Sequence, residues 1–188
     1  MHDPVPVLAP DSVDDSERLV WFSTSRRTNR REDARHAGSA STSNKLEAAK
    51  VADLVARLNT HVQAGKYVRT DGGKLEVLIL TGYRRQCTEI ERALRRLTLR
   101  HVAVQVKTVD AVQGREADVV IFSVTRSNVT GELGFLADQY QGRVNVALSR
   151  ARELLWIVGD SEFCSSKQGP LNRVLTHITT TGGRVQYL

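Results

Sequence analysis

Cysteine is nearly absent from this chain. Cys87 and Cys164 are the only two, far apart, and neither has the spacing of a metal ligand or a disulfide framework. The histidines are scattered, and none pairs with Cys, Asp or Glu at a ligand spacing, so no metal site is expected. No apolar run approaches the length of a membrane span, and Met1 to Pro10 lacks the basic and apolar regions of a signal peptide. An intracellular setting follows as the expectation, cytoplasmic, or nucleoid-associated in a bacterium. There is no internal repeat, no low-complexity tract, no G-x-S-x-G elbow and no Cys–His arrangement suited to a nucleophile. The phosphate-cradling pattern G-x-x-x-x-G-K-[ST] is missing too, because every lysine lacks the required glycines. A nucleoside-triphosphate site of that kind cannot be built from this chain alone; it could supply only the far wall of one.

What is present suits one soluble globular domain. The 188 residues are 40% hydrophobic and 26% charged, enough for a sizeable core. The formal net charge is +6, with arginine dominant, which favours a polyanionic partner such as nucleic acid or nucleotide phosphate.

Residues 1–18, with Pro4, Pro6 and Pro10, read as an irregular lead-in. Leu19 to Phe22 is the first strand. Residues 23–43, with Arg26, Arg27, Arg30, Arg31 and Arg35, are too polar to offset their ordering entropy, so a mobile basic loop is expected, solvated or tracking a phosphate backbone. Asn44 to Ala64 has one apolar helical face (Val51, Leu54, Val55, Leu58, Val62), and Asn44 with Glu47 reads as a capping box. Val77 to Leu80 is apolar without alternation, as in a strand covered on both faces. A second helix follows, with Cys87, Ile90, Leu94 and Leu97 inside and Arg84, Arg85, Arg92, Arg95 and Arg96 outside. Strands are expected at Val102 to Val106, Val119 to Phe122 and Leu154 to Val158, a helix near Leu171 to Ile178 after Pro170, and an edge strand at Val185 to Tyr187. Alternation of this kind predicts a three-layer α/β fold with a mostly parallel sheet.

Ligands in such sheets gather at the carboxyl ends of the strands. Four polar segments are expected there: Thr81 to Gln86, Thr108 to Glu116, Thr125 to Asn128, and the lead into Arg143. Within the second, Gly114 permits close backbone approach to a phosphate or sugar, and Gln113 and Glu116 offer hydrogen bonding. The stretch Arg143 to Arg152 has helical apolar spacing at Val144, Ala147, Leu148 and Ala151, and predicts a helix with Arg143 and Arg150 on one side, about two turns apart. Such a helix either aims charge at a ligand or lies solvated on the surface.

These residues carry a resemblance. Thr108-Val109-Asp110-Ala111-Val112-Gln113-Gly114-Arg115-Glu116 resembles motif V of superfamily 1 helicases of the nonsense-mediated-decay (Upf-type) group. Gly134-Phe135-Leu136 with Arg143 to Arg152 resembles motif VI, Leu78 to Gln86 resembles motif IV, and Asn44-Lys45-Leu46-Glu47-Ala48 resembles the group's helix start. The resemblance spans about Trp21 to Phe163. It implies that residues 19–188 are the C-terminal, second RecA-like domain of such an enzyme, a P-loop NTPase fold lacking its own P-loop. ATP and Mg2+ would then be held mainly by a first, P-loop-bearing RecA-like domain, in the same parent chain or a separate subunit. The resemblance also implies 5′ to 3′ movement on single-stranded DNA or RNA.

Residue by residue, it makes Arg150 the arginine finger, with Lys45 and Arg143 as further catalytic cations. Gly114, Glu116, Gln113, Tyr83 and Gln86 fall at nucleotide-binding positions, and Thr108, Thr125 and Arg126 on the side of the nucleic-acid backbone. Two departures stand out: Gly82 replaces a usual proline of motif IV, and Gly142 replaces the first of two arginines opening motif VI. The function expected is therefore the second motor domain of an ATP-dependent helicase or translocase. The alternative is a non-catalytic nucleic-acid or protein binding module that keeps the fold.

Overall fold

The computed structural model describes residues 8–9, 13–33, 41–112 and 114–188. Gln113, Arg35 and the prolines of the lead-in lie outside them. Six strands form one sheet: β1 (Leu19–Ser23), β2 (Leu75–Thr81), β3 (Val102–Thr108), β4 (Ala117–Ser123), β5 (Ala151–Gly159) and β6 (Arg184–Tyr187). Their order is β3-β2-β4-β5-β1-β6, and every pairing between them is parallel.

The uninterrupted apolar runs are explained by this arrangement. Alternate residues of each strand feed opposite cores. Val77, Ile79, Val119 and Ile121 meet α2 (Lys45–Gln63) and α3 (Arg84–Leu94) through Val51, Leu54, Leu58 and Ile90. Leu78, Leu80, Val120 and Phe122 face the other way, toward α4 (Gln141–Leu148), α5 (Ser161–Ser165) and α6 (Pro170–Thr180). Every residue of β4 is buried, so it is the spine of the sheet.

Several expectations are corrected. The lead-in is not wholly irregular: Asp15–Arg18 form a helical turn, α1, whose Glu17 accepts from Lys66 Nζ at 3.0 Å and from the Tyr67 hydroxyl. At the described ends of the basic loop Arg26, Arg27 and Arg31 are exposed, as expected, while several neighbours are pinned. Ser23, Thr24 and Ser25 are buried, Arg30 pairs with Asp160 at 3.0 Å, Arg31 donates to the Asn128 carbonyl, and Asp33 N–H donates to Ser43 O. The buried serines and Arg30 find protein partners that polar composition does not reveal.

The arginine helix is also shorter than its spacing predicts. It ends at Leu148, Arg150 lies in the turn, and Ala151 and Arg152 already belong to β5. Arg152 is held at the amino end of the sheet by Glu76 and by buried Asp118, which also accepts from Arg69 and from Glu76 N–H. Strand pairing, invisible to local periodicity, takes the last turn away from the helix.

Candidate functional site

The groove at the carboxyl ends of β2 and β3 is built by three segments. Gly82, Tyr83 and Arg84 leave β2, Thr108 leaves β3, and a 3-10 turn at Gly134–Leu136 with the start of α4 forms the opposite bank. The opening measures about 660 Å³. Phe135 N–H donates to the Tyr83 hydroxyl at 3.1 Å, and the two rings meet edge-on at 6.4 Å. The Phe135 and Tyr140 rings lie nearly parallel, 7° apart, with centroids at 6.4 Å. The Arg143 guanidinium sits 5.3 Å from the Tyr140 ring centre and pairs with Asp110 at 3.3 Å, half-exposed. Flat π-faces beside mobile cations suit stacking and phosphate neutralisation together.

Gly82 has a specific reason to lack a side chain. A Cβ there would lie 2.5 Å from Phe135 Cδ1, so the Phe135 ring occupies the space a proline would fill.

Behind the groove lies a buried polar network. Glu47 is fully buried, and its carboxylate accepts from the Ser123 hydroxyl and from Thr125 N–H, each at 2.7 Å. Burial pushes its pKa up to about 8 against the pull of those donors. The capping box is only half made. Asn44 Oδ1 accepts from Glu47 N–H, but Asn44 N–H donates to Gln86 Oε1 instead, which frees Glu47 to reach β4.

Three assigned site residues are drawn into this network and are corrected. Gln86 donates to Asn44 O and Ser123 Oγ as well, so both ends of its amide hold α2 against β4 rather than a nucleotide. Thr125 is buried, shares a 2.9 Å hydrogen bond with the Thr81 hydroxyl, and adopts φ +68°, rare for a β-branched residue. Arg126 is also fully buried, paired with Glu32 at 2.9 Å and donating from Nε to the Glu132 carbonyl at 3.0 Å. Neither Thr125 nor Arg126 presents a polar group to a nucleic-acid backbone. An apolar reading of the strand end could not see Glu32, which is far away in sequence and supplies the counter-charge.

A second cluster forms at the opposite end of the sheet. Ala117 N–H donates to the Arg150 carbonyl at 3.0 Å, so Glu116 and Arg150 flank one backbone hydrogen bond where β4 and β5 begin. Glu116 is exposed, and Gly114 nearby takes φ +60°. Arg150 is half-buried, and its Nε is buried with no hydrogen-bond partner among the described residues. Lys45, mostly exposed and 4.0 Å from Asp33, starts α2, where neighbouring Asn44 donates to the Thr125 carbonyl. That is the carboxyl end of β4, about 20 Å from its amino end at the rise of a strand.

The assigned residues therefore divide. Tyr83, Thr108 and Arg143 share the groove; Gly114, Glu116 and Arg150 gather at the amino ends; Lys45 stands apart from both. Phe135 and Tyr140 were not singled out as site residues, because aromatics in a loop carry no period that reveals a shared wall. The cysteines add no chemistry: burial pushes Cys87 up to about 11 and Cys164 well above its ordinary value.

A parallel sheet in this order, covered by helices on both faces, is a three-layer α/β domain, the architecture expected of a RecA-like fold. The family model described as "AAA domain" matches residues 5–162, and the chain belongs to that family. DNA polymerase alpha-associated DNA helicase A of Schizosaccharomyces pombe is 38% identical over 86 residues, 46% of this chain and 12% of its own length. DNA-binding protein SMUBP-2 of Rattus norvegicus is 35% identical over 101 residues, 54% of this chain and 10% of its own. DNA replication ATP-dependent helicase/nuclease DNA2 of Xenopus laevis is 38% identical over 93 residues, 50% of this chain and 8% of its own. The chain thus matches about a tenth of the length of these curated relatives, as a helicase-family domain. The HK97 bacteriophage large terminase is similar at TM-score 0.48 and 11% identity, over 91% of this chain and 35% of that one. No helix among the described residues is long and apolar enough to cross a membrane.

Proposed function

We propose that this chain is the second RecA-like motor domain of an ATP-dependent superfamily 1 helicase of the Upf-type group. The observation that carries the proposal is the cluster of Gly114, Glu116 and Arg150. Among the described residues the buried Arg150 Nε has no hydrogen-bond partner, and across the Ala117–Arg150 backbone hydrogen bond stand an exposed Glu116 and a positive-φ Gly114. The cluster suits a nucleotide whose phosphates are held by another domain. Arg150 would stabilise charge developing on the transferred phosphoryl group, and Glu116 would meet the ribose.

Among the described residues no group of three or more His, Cys, Asp or Glu side chains comes together. The metal and the phosphate cradle belong to the P-loop domain in this scheme. The groove of Tyr83, Thr108, Phe135, Tyr140 and Arg143 would carry the nucleic acid, by stacking and phosphate contact. The relatives' names make DNA the first nucleic acid to test, with RNA second.

The test combines this chain with a P-loop-bearing RecA-like domain and measures ATP hydrolysis with and without single-stranded DNA. Stimulated turnover is expected, falling by about 10³ or more in Arg150→Ala. A rate indifferent to Arg150→Ala would overturn the motor assignment, whereas DNA binding without turnover would leave a binding module.

A further inference from the structure

Arg84 belongs to the groove, and it also begins a line of charge that leaves it. Arg84 and Thr88 on α3 and Arg95 at its C-cap share one exposed side of the helix with Glu91, and Arg96 and Arg100 follow beyond its end. At 1.5 Å per residue the interval from Arg84 to Arg95 is about 16 Å. Among the described residues none of Arg84, Arg95, Arg96 and Arg100 has a carboxylate within ion-pair distance. Arg92 at the flank differs, with both Glu89 oxygens as acceptors. Glu91, exposed and within the line between Arg84 and Arg95, forms no ion pair with either among the described residues.

The order of charge along the helix is informative. Its first turn holds Arg84 and Arg85 and no acid, and its cap is a neutral hydroxyl from outside the helix, Ser41 Oγ accepting from Arg85 N–H at 3.1 Å. Positive side chains there add to the positive end of the helix dipole, an arrangement that an external anion relieves. Arg95 and Arg96 at the other end are placed favourably for the dipole, but helix stability does not require Arg100 beyond them.

We propose that this face of α3 is a second phosphate track, which takes the backbone of a single strand after it leaves the groove. A line carried by one helix and the turn after it is narrow, and suits a single sugar–phosphate backbone. The two backbones of a duplex, separated by a groove about 12 Å wide, need a broader patch. Arg84 is the joint between the two surfaces, since it lines the groove and heads the line. Affinity would then grow with strand length beyond what the groove accommodates. The inference rests on the nucleic-acid reading of the groove.

The experiment uses the full chain and fluorescence anisotropy with oligo-dT of about 6 and about 20 nucleotides over a range of salt. Two variants are compared: Arg95→Ala/Arg96→Ala/Arg100→Ala for the track, and Tyr140→Ala/Arg143→Ala for the groove. For the longer oligonucleotide the track variant should lower the slope of log affinity against log salt by about 2, near 0.7 per lost phosphate contact. Its binding to the shorter one should be unchanged, and the groove variant should weaken both. A track variant with the wild-type slope on the longer strand overturns the inference while leaving the groove intact. Stronger binding of duplex than of single strand, lost in the track variant, overturns the single-strand assignment. No binding of either length by the wild-type chain overturns the nucleic-acid reading and the track with it.

Discussion

Buried charge decides what individual residues here can do. Glu47 carries a raised pKa of about 8, against an ordinary 4.5, because desolvation outweighs the hydrogen bonds it accepts. The folded protein therefore holds a proton that the unfolded chain releases between those values. Stability should fall as pH rises through that window and level off above about 8. Glu47→Gln keeps an acceptor for Thr125 N–H and removes the titration, so its stability should be nearly flat across the same window in chemical denaturation. An unchanged pH profile in this variant would place the titration elsewhere. Arg126 makes the complementary case. Arg126→Met leaves Glu32 buried without its counter-charge and should cost about 3–5 kcal/mol in thermal or chemical unfolding. Weakened DNA binding at unchanged stability would instead return Arg126 to the nucleic-acid surface.

Among the elements, the turn after β2 and the 3-10 turn before α4 are coupled by one contact. A methyl group on Gly82 collides with Phe135, whose backbone is tied to the Tyr83 hydroxyl. Gly82→Ala should cost about 1–3 kcal/mol and weaken single-stranded DNA binding by moving the Phe135 ring. In a Phe135→Ala background the stability cost of Gly82→Ala should largely vanish, which a double-mutant cycle measures. A cost that persists would mean that the backbone of the turn, and not the ring, requires glycine. The departure from the usual proline thus reads as a local exchange of one ring for another.

The molecule as a whole is a parallel sheet with a different cluster at each end. Arg150 and Glu116 sit where β4 and β5 begin, and the aromatic groove where β2 and β3 finish. Neither end has a phosphate-cradling loop, so the isolated chain should show negligible ATP hydrolysis in a phosphate-release assay. Robust turnover by the pure chain would contradict the division of labour between two domains.

Much of this was legible in the residues alone. Apolar runs without alternation announced strands covered on both faces, and helical spacing announced α2, α3 and α6, because both patterns follow from local geometry. The motif resemblance singled out the segments that bear Tyr83, Thr108 and Gly114, whereas Arg150 was expected on a helix and lies in the turn after it. Tertiary structure decided which of the named side chains remain free. Gln86, Thr125 and Arg126 are taken up by Asn44, Thr81 and Glu32, partners from distant parts of the chain. Arg143 and Arg150 separate because strand pairing ends α4 early. A sequence displays which polar groups it has, but whether a group faces a ligand or another residue depends on long-range contacts that the chain makes only once folded.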